Sequence, residues 1–99
     1  MKFEWDEDKN LANLKKHKIS FEDAAFVFSD KEALTIYDNE HSADEDRWIT
    51  IGMIKNTNLI VVIHTERIRK DIDFISIISA RKANKNEINE YINQLSVKL

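Results

Sequence analysis

The sequence predicts an α+β fold: one small antiparallel sheet with helices packed mainly on one face, in the order β-α-α-β-β-β-β-α. Two observations carry this. Three segments repeat apolar residues at helical spacing, while four segments between residues 33 and 79 are dense in Ile, Val and Thr. Short polar links between those four act as successive hairpin connections, which favours antiparallel pairing. At 99 residues the chain is one domain, and 42% hydrophobic residues against 33% charged allow it to fold.

Each element has its own warrant. Lys2–Trp5 reads as a short first strand. Glu7 to His17 reads as a surface helix whose apolar residues, Leu11, Ala12 and Leu14, should form its buried side. Ser20 opens a second helix, with Asp23 in the place a capping box gives to Glu or Gln. Phe21, Ala24, Ala25 and Phe28 then form one apolar stripe. The strands are Ala33–Tyr37, Trp48–Ile54, Leu59–Thr65 and Ile72–Ser79. Asn56-Thr57-Asn58 should be a tight hairpin connection, and Arg67 to Asp71 a second polar turn. Asn84 with Glu87 starts a last helix, Lys85 to Leu95, buried along Ile88, Tyr91, Ile92 and Leu95.

Composition removes several kinds of chemistry. With no cysteine there are no disulfides, thiol catalysis or cysteine zinc sites. One glycine cannot build a Gly-rich phosphate loop. No apolar run approaches a membrane span. Met1–Asp6 lacks a secretory stretch, so a cytoplasmic location is expected. A net charge of −3 counts against nucleic acid unless positive charge is concentrated. It is concentrated: residues 67–85 hold six basic side chains against Asp71 and Asp73, while Asp38–Asp46 holds five acids. A chain polarised in this way can bind RNA on one side and a basic partner on the other.

Period-two alternation groups Trp48, Thr50, His64, Glu66 and Ser76 on the less apolar strand faces. They are expected to form one partly polar surface away from the helices, with a base, an acid and an aromatic platform together.

Several spaced blocks, running from residue 3 to residue 91, resemble one family. They are Phe3-Glu4-Trp5-Asp6, Lys9…Asn13…Lys16-His17, Ser20–Ala24 with Val27-Phe28, Asp38…His41, and Glu45…Arg47-Trp48…Ile51-Gly52. Val61–Arg67, Ile77–Ala83, Glu87 and Tyr91 continue the likeness. The family is BrnT, the toxin half of a bacterial type II toxin–antitoxin pair. The resemblance implies a RelE-like fold and an endoribonuclease that needs neither metal nor cofactor. It implies a BrnA-like ribbon-helix-helix antitoxin, RNA as substrate, and DNA reached only through the antitoxin. Ser76 departs from the family's usual basic residue, and Lys18 from its usual glycine. Ser76 and the acidic balance favour the alternative, a non-catalytic toxin that serves as an antitoxin-binding co-repressor or an RNA-binding module.

Metal-free RNA cleavage needs a base for the 2′-hydroxyl, cations for the phosphate and an acid for the leaving oxygen. Arg81, Arg67 and Arg47 are the candidate cations; each sits at a strand end, where neighbouring arginines can converge on one anion. The bland reading makes them solvated turn charges, or partners of the acidic loop. His64 reads equally as a titrating group or as a buried, satisfied histidine; Glu66 is a base or orients it. His64 and Glu66 alone do not make a metal site. His41 reads as a surface histidine. Lys9, Asn13 and Lys16 share a helical face that, with His17, tracks an RNA backbone or is merely solvated. Trp48 is a stacking platform, and Lys82 adds to the basic window.

Overall fold

The computed structural model describes residues 1–55 and 58–97. The elements are β1 (Lys2–Glu4), α1 (Glu7–His17), α2 (Phe21–Ala24) continued by a 3₁₀ turn (Ala25–Ser29), β2 (Leu34–Tyr37), β3 (Trp48–Ile54), β4 (Asn58–Arg69), β5 (Ile72–Lys82) and α3 (Lys85–Val97). The expected connection Asn56-Thr57-Asn58 lies outside the described residues, except for Asn58, which opens β4.

The five strands lie in the order β1-β5-β4-β3-β2. β2 to β5 are antiparallel neighbours, but β1 runs parallel to β5, with Phe3 opposite Ile75. The sheet is therefore mixed, where the sequence predicted an antiparallel one. The helices between β1 and β2 carry the chain across a face, and β1 is left as an edge beside β5.

α1, α2 and the 3₁₀ turn cover one face over Phe21, Ala24, Val27, Ile60, Val62 and Ile77. Among the described residues α3 is the helix that packs on the other, where Tyr91 meets Ile51 and Val61. Gly52 lets the 3₁₀ turn sit close on β3: a Cβ there would stand 3.1 Å from Val27 Cγ2.

Asp6 caps α1 by accepting from Lys9 N, and Lys18 ends it in the left-handed conformation at φ 62°. The orientation of α1 differs from expectation. Leu11 and Leu14 face solvent, and the buried residues are Asn10 and Asn13. Asn10 Oδ1 accepts from Phe21 N at 2.7 Å. The Asn13 amide donates to Ile19 O and Ala80 O, both at 2.9 Å, and accepts from Ala80 N at 3.1 Å. Backbone groups of α2 and β5 leave polar atoms at this interface, and two amides satisfy them. Asn13 is thus a fastener between α1 and β5, off any exposed stripe of Lys9 and Lys16.

β4 and β5 run longer than predicted and turn tightly at Lys70 and Asp71, both at positive φ. Arg67 accordingly lies in a strand, not a turn. A bulge sets the faces: Ile63 pairs with Ser79 but His64 with Ile77, leaving Ile78 as an extra residue in β5. Beyond it the alternation of β5 reverses, so Ser76 lies opposite Thr65 on the face away from His64. The expected polar surface therefore does not form. His64 and Thr50 lie beneath the helices, and Ser76 faces the other way.

Candidate active site

α3 leaves part of its sheet face open. A cleft of about 430 Å³ lies there, with Ile49, Ile63 and Ile78 as apolar lining, Arg47, Arg81, Asp38 and Glu40 as charged lining, and His41 and Ser79 beside them.

Arg81 stands near the end of β5, just before α3 begins. Its Nη1 and Nη2 donate to the two carboxylate oxygens of Glu87, each at 2.8 Å. Glu87 also accepts from Asn84 N at 2.8 Å, while Asn84 Oδ1 accepts from Glu87 N at 2.9 Å. One carboxylate thus completes the helix cap and holds the guanidinium. The Arg81 hydrogen bond keeps Glu87 below the usual carboxylate range.

Arg47 ends the loop between β2 and β3. Its N–H donates to Ser42 Oγ at 3.0 Å, and its carbonyl accepts from Asp38 N at 2.9 Å. Its Nε is buried, with no hydrogen-bond partner among the described residues. The Asp38 side chain is 7% exposed and meets His41 Nδ1 at 3.0 Å; the His41 side chain is 62% exposed. Asp38 also accepts from Glu40 N at 3.2 Å.

Arg67 is not part of this group. Arg81 lies opposite Val61 on β4, so Arg67 stands six residues further along, about 20 Å at ~3.3 Å per residue. An antiparallel hairpin sends its two strand ends in opposite directions, which is why these arginines do not converge. Arg67 and Arg69 approach Glu4 Oε1 at 2.9 and 3.4 Å, and Ser76 Oγ donates to the same oxygen at 2.6 Å. The Ser76 hydrogen bond, then Arg67 and Arg69, draw the Glu4 carboxyl below its ordinary value. Ser76 supplies a small donor to the carboxylate that gathers both arginines.

His64 is fully buried beneath Phe28, whose ring meets it edge-on at 4.9 Å. Its Nε2 lies 2.7 Å from Thr50 Oγ1, which lies 2.8 Å from Thr35 Oγ1. Its Nδ1 is 3.8 Å from Glu66, beyond hydrogen-bond reach. Burial pushes the imidazole down to about 4, so it is neutral at pH 7. His64 is buried, as one of its two readings expected, but only half satisfied: Nδ1 has no hydrogen-bond partner among the described residues, and the ring lies on the face away from the cleft.

The remaining expected residues are dispersed. Trp48 packs edge-on against Tyr37 and shares a second hollow with Glu66 and Arg67. Lys9 and Lys16 are exposed on α1, and His17 is half-buried. Lys82 follows Arg81 but lines a different hollow, with Lys18 and Lys55. Among the described residues no group of three or more His, Asp or Glu side chains could hold a metal ion.

Sequence analysis did not place Asp38, His41 or Glu87 among the candidate site residues; it read His41 as a surface histidine, and the side chain is indeed 62% exposed. The Asp38-x-x-His41 spacing was an available signal, as was a capping glutamate six residues after an arginine.

The family model described as the ribonuclease toxin BrnT of a type II toxin–antitoxin system matches residues 5–87. No curated protein matches significantly. Among solved structures, the 1.1 Å crystal structure of the Brucella abortus ribonuclease toxin BrnT aligns with a TM-score of 0.64 and 30% identity, covering 86% of this chain and 99% of that one. Sequence and fold agree, and the chain belongs to the BrnT family of ribonuclease toxins of type II toxin–antitoxin systems.

Proposed function

We propose that this chain is a metal-independent endoribonuclease that cuts RNA in the Arg47–Arg81 cleft, stops translation and so arrests growth. The family supports ribonuclease activity. The observation that carries the site is two arginines on one cleft, one of them with its fork fixed by Glu87.

The chemistry follows from where charge accumulates. Attack of a 2′-hydroxyl on the adjacent phosphorus builds negative charge on the non-bridging oxygens. Guanidinium groups already in place favour that state without reorganising. Glu87 occupies one edge of the Arg81 fork and so fixes the direction of the rest. We assign phosphate stabilisation to Arg81 and Arg47. Arg67, Glu66, Trp48, Lys9, Lys16 and Lys82 are left to contact RNA more distantly.

The family implies a cognate antitoxin. We propose a ribbon-helix-helix antitoxin that also supplies all contact with DNA, the pair acting in the cytoplasm, and a RelE-like ancestry for the fold. The test is cleavage of a single-stranded RNA by purified toxin, with and without EDTA. The expected products carry a 2′,3′-cyclic phosphate and a 5′-hydroxyl, at a rate EDTA leaves unchanged. Cleavage that survives 2′-deoxy substitution at the cut site, or that EDTA abolishes, overturns the mechanism. Co-expression with the neighbouring short reading frame should yield a stable, non-toxic complex.

A further inference from the structure

We propose that His41, oriented by Asp38, takes the proton from the 2′-hydroxyl in this cleft; the inference rests on the ribonuclease reading and deepens it. Of the three histidines in the chain, only His41 shares a cleft with Arg47 and Arg81. His64 lies beneath Phe28 on the opposite face, and His17 ends α1 in the layer beyond.

The hydrogen bonds select the tautomer. Asp38 is a buried acceptor, 3.0 Å from His41 Nδ1. That nitrogen therefore carries the proton of the neutral ring, and Nε2 keeps its lone pair. The His41 side chain is 62% exposed while that of Asp38 is 7% exposed, so one end of the pair is anchored and the other is open.

The loop is held as well. Ser42 Oγ donates to Asp38 O at 2.5 Å and accepts from Arg47 N at 3.0 Å, and Asp38 N donates to Arg47 O at 2.9 Å. These bonds tie the histidine to the start of β3, where Arg47 enters the cleft. The charged groups around His41 are Asp38, Glu40, Asp44 and Glu45 on its own loop, Arg47 beside β3, and Arg81 on β5.

The step balances as a transesterification. Nε2 takes the 2′-hydroxyl proton, the 2′ oxygen bonds to phosphorus, and the bond from phosphorus to the 5′ oxygen breaks. The departing oxygen takes a proton from water, and the imidazolium returns its own to the hydroxide left behind. Arg47 and Arg81 face the non-bridging oxygens throughout.

The test uses the full chain and a chimeric oligonucleotide with one ribonucleotide at the cut site, under single-turnover conditions across pH. His41→Gln should cleave roughly 10²- to 10⁴-fold more slowly, as for a lost general base. It should also lose the ascending limb of the pH–rate profile. Its affinity for the all-deoxy analogue should stay within about threefold of wild type, since only proton transfer is removed. Asp38→Asn, a change in a positioning residue, should lower the rate and alter the same limb with little change in KM. Because Asp38 is buried and that variant risks misfolding, His41→Ala with added imidazole is the second arm; exogenous base should restore part of the rate. A folded His41→Gln within threefold of wild type, or a His41→Ala that imidazole does not rescue, overturns the proposal. If Arg81→Ala is inactive while His41→Gln is not, the ribonuclease reading stands and only the base is wrong. If wild type leaves RNA intact, both fall.

Discussion

Arg81 and Arg67 stand at opposite ends of one sheet face, and each meets a glutamate, but the two pairs are built differently. Glu87 is 17% exposed on its side chain and offers both oxygens to the one guanidinium of Arg81, while Oε1 and its backbone N–H are tied into the α3 cap through Asn84. Glu4 is 35% exposed and offers one oxygen to Ser76, Arg67 and Arg69 together. The first arrangement fixes a guanidinium in direction. The second gathers charge on a solvated ribbon, where screening leaves ion pairs worth little. The strand-end arginine proposed as the phosphate site is the one whose fork is held and that has a cleft beside it.

The sharpest way to break this comparison is to remove each arginine in turn. Arg81→Ala should lower single-turnover cleavage by roughly two to three orders of magnitude, as for a lost oxyanion donor. Arg67→Ala should stay within about threefold. Equal losses at the two ends would abolish the distinction. Arg81→Lys should recover little, because an ammonium cannot copy the fork.

Next in size is Glu87→Gln, which keeps the shape and removes the charge that aims Arg81. Cleavage should fall about 10- to 100-fold through misplacement, and the weakened cap should cost about 1 kcal/mol in urea denaturation. Glu87 titrates below its ordinary 4.5 when folded, so its stabilisation is full above that pH and fades as pH falls through the lowered value. The Gln variant should lack that part of the acid sensitivity. If it cleaves at the wild-type rate, Glu87 does not position Arg81.

The covered face supplies the control. Unfolded His64 protonates near 6.5, and folded His64 only near about 4. Between those values the unfolded chain binds more protons, so stability is full above pH 6.5 and declines as pH falls toward 4. His64→Gln should flatten that decline in denaturation midpoints and leave neutral-pH cleavage within a few-fold. A stable His64→Gln protein that has lost a hundredfold in rate would return the chemistry to the covered face. The smallest effect concerns salt. Arg47→Ala should reduce the salt slope of RNA affinity by about one phosphate contact, and Arg67→Ala by less because Glu4 already offsets it. A larger loss at Arg67 would move the main RNA contact to the far end.

What the sequence revealed follows a physical division. The span Glu7–His17 read for α1 matches the observed helix, whose ends are fixed locally by the Asp6 cap and Lys18. Its buried side was not legible, because Asn10 and Asn13 serve backbone groups of distant segments, which no apolar period records. The α3 start was readable from Asn84 and Glu87. The parallel pairing of β1 was not, since it depends on a partner 72 residues away. Arg47 and Arg81 were recognisable as candidate cations from residue type and strand-end position. Their separation from Arg67 required the hairpin register, and the burial of His64 required the bulge after Ile63 and the Phe28 ring above it. The Asp38–His41 contact was not readable because a polar loop looks the same whether or not a buried carboxylate lies beneath it.

The parallel docking of β1 has a consequence in time. During synthesis Phe3 and Glu4 are made well before Ile75 and Ser76, the residues that give them a neighbouring strand. The Arg81 clamp comes later still, since Glu87 follows it in the chain. A chain halted before Asn84 carries His41, Arg47 and Arg81 but lacks the residue that aims Arg81. The fold thereby leaves the Arg81 clamp unfinished until the chain has been made through Glu87, well after the residues of the cleft itself.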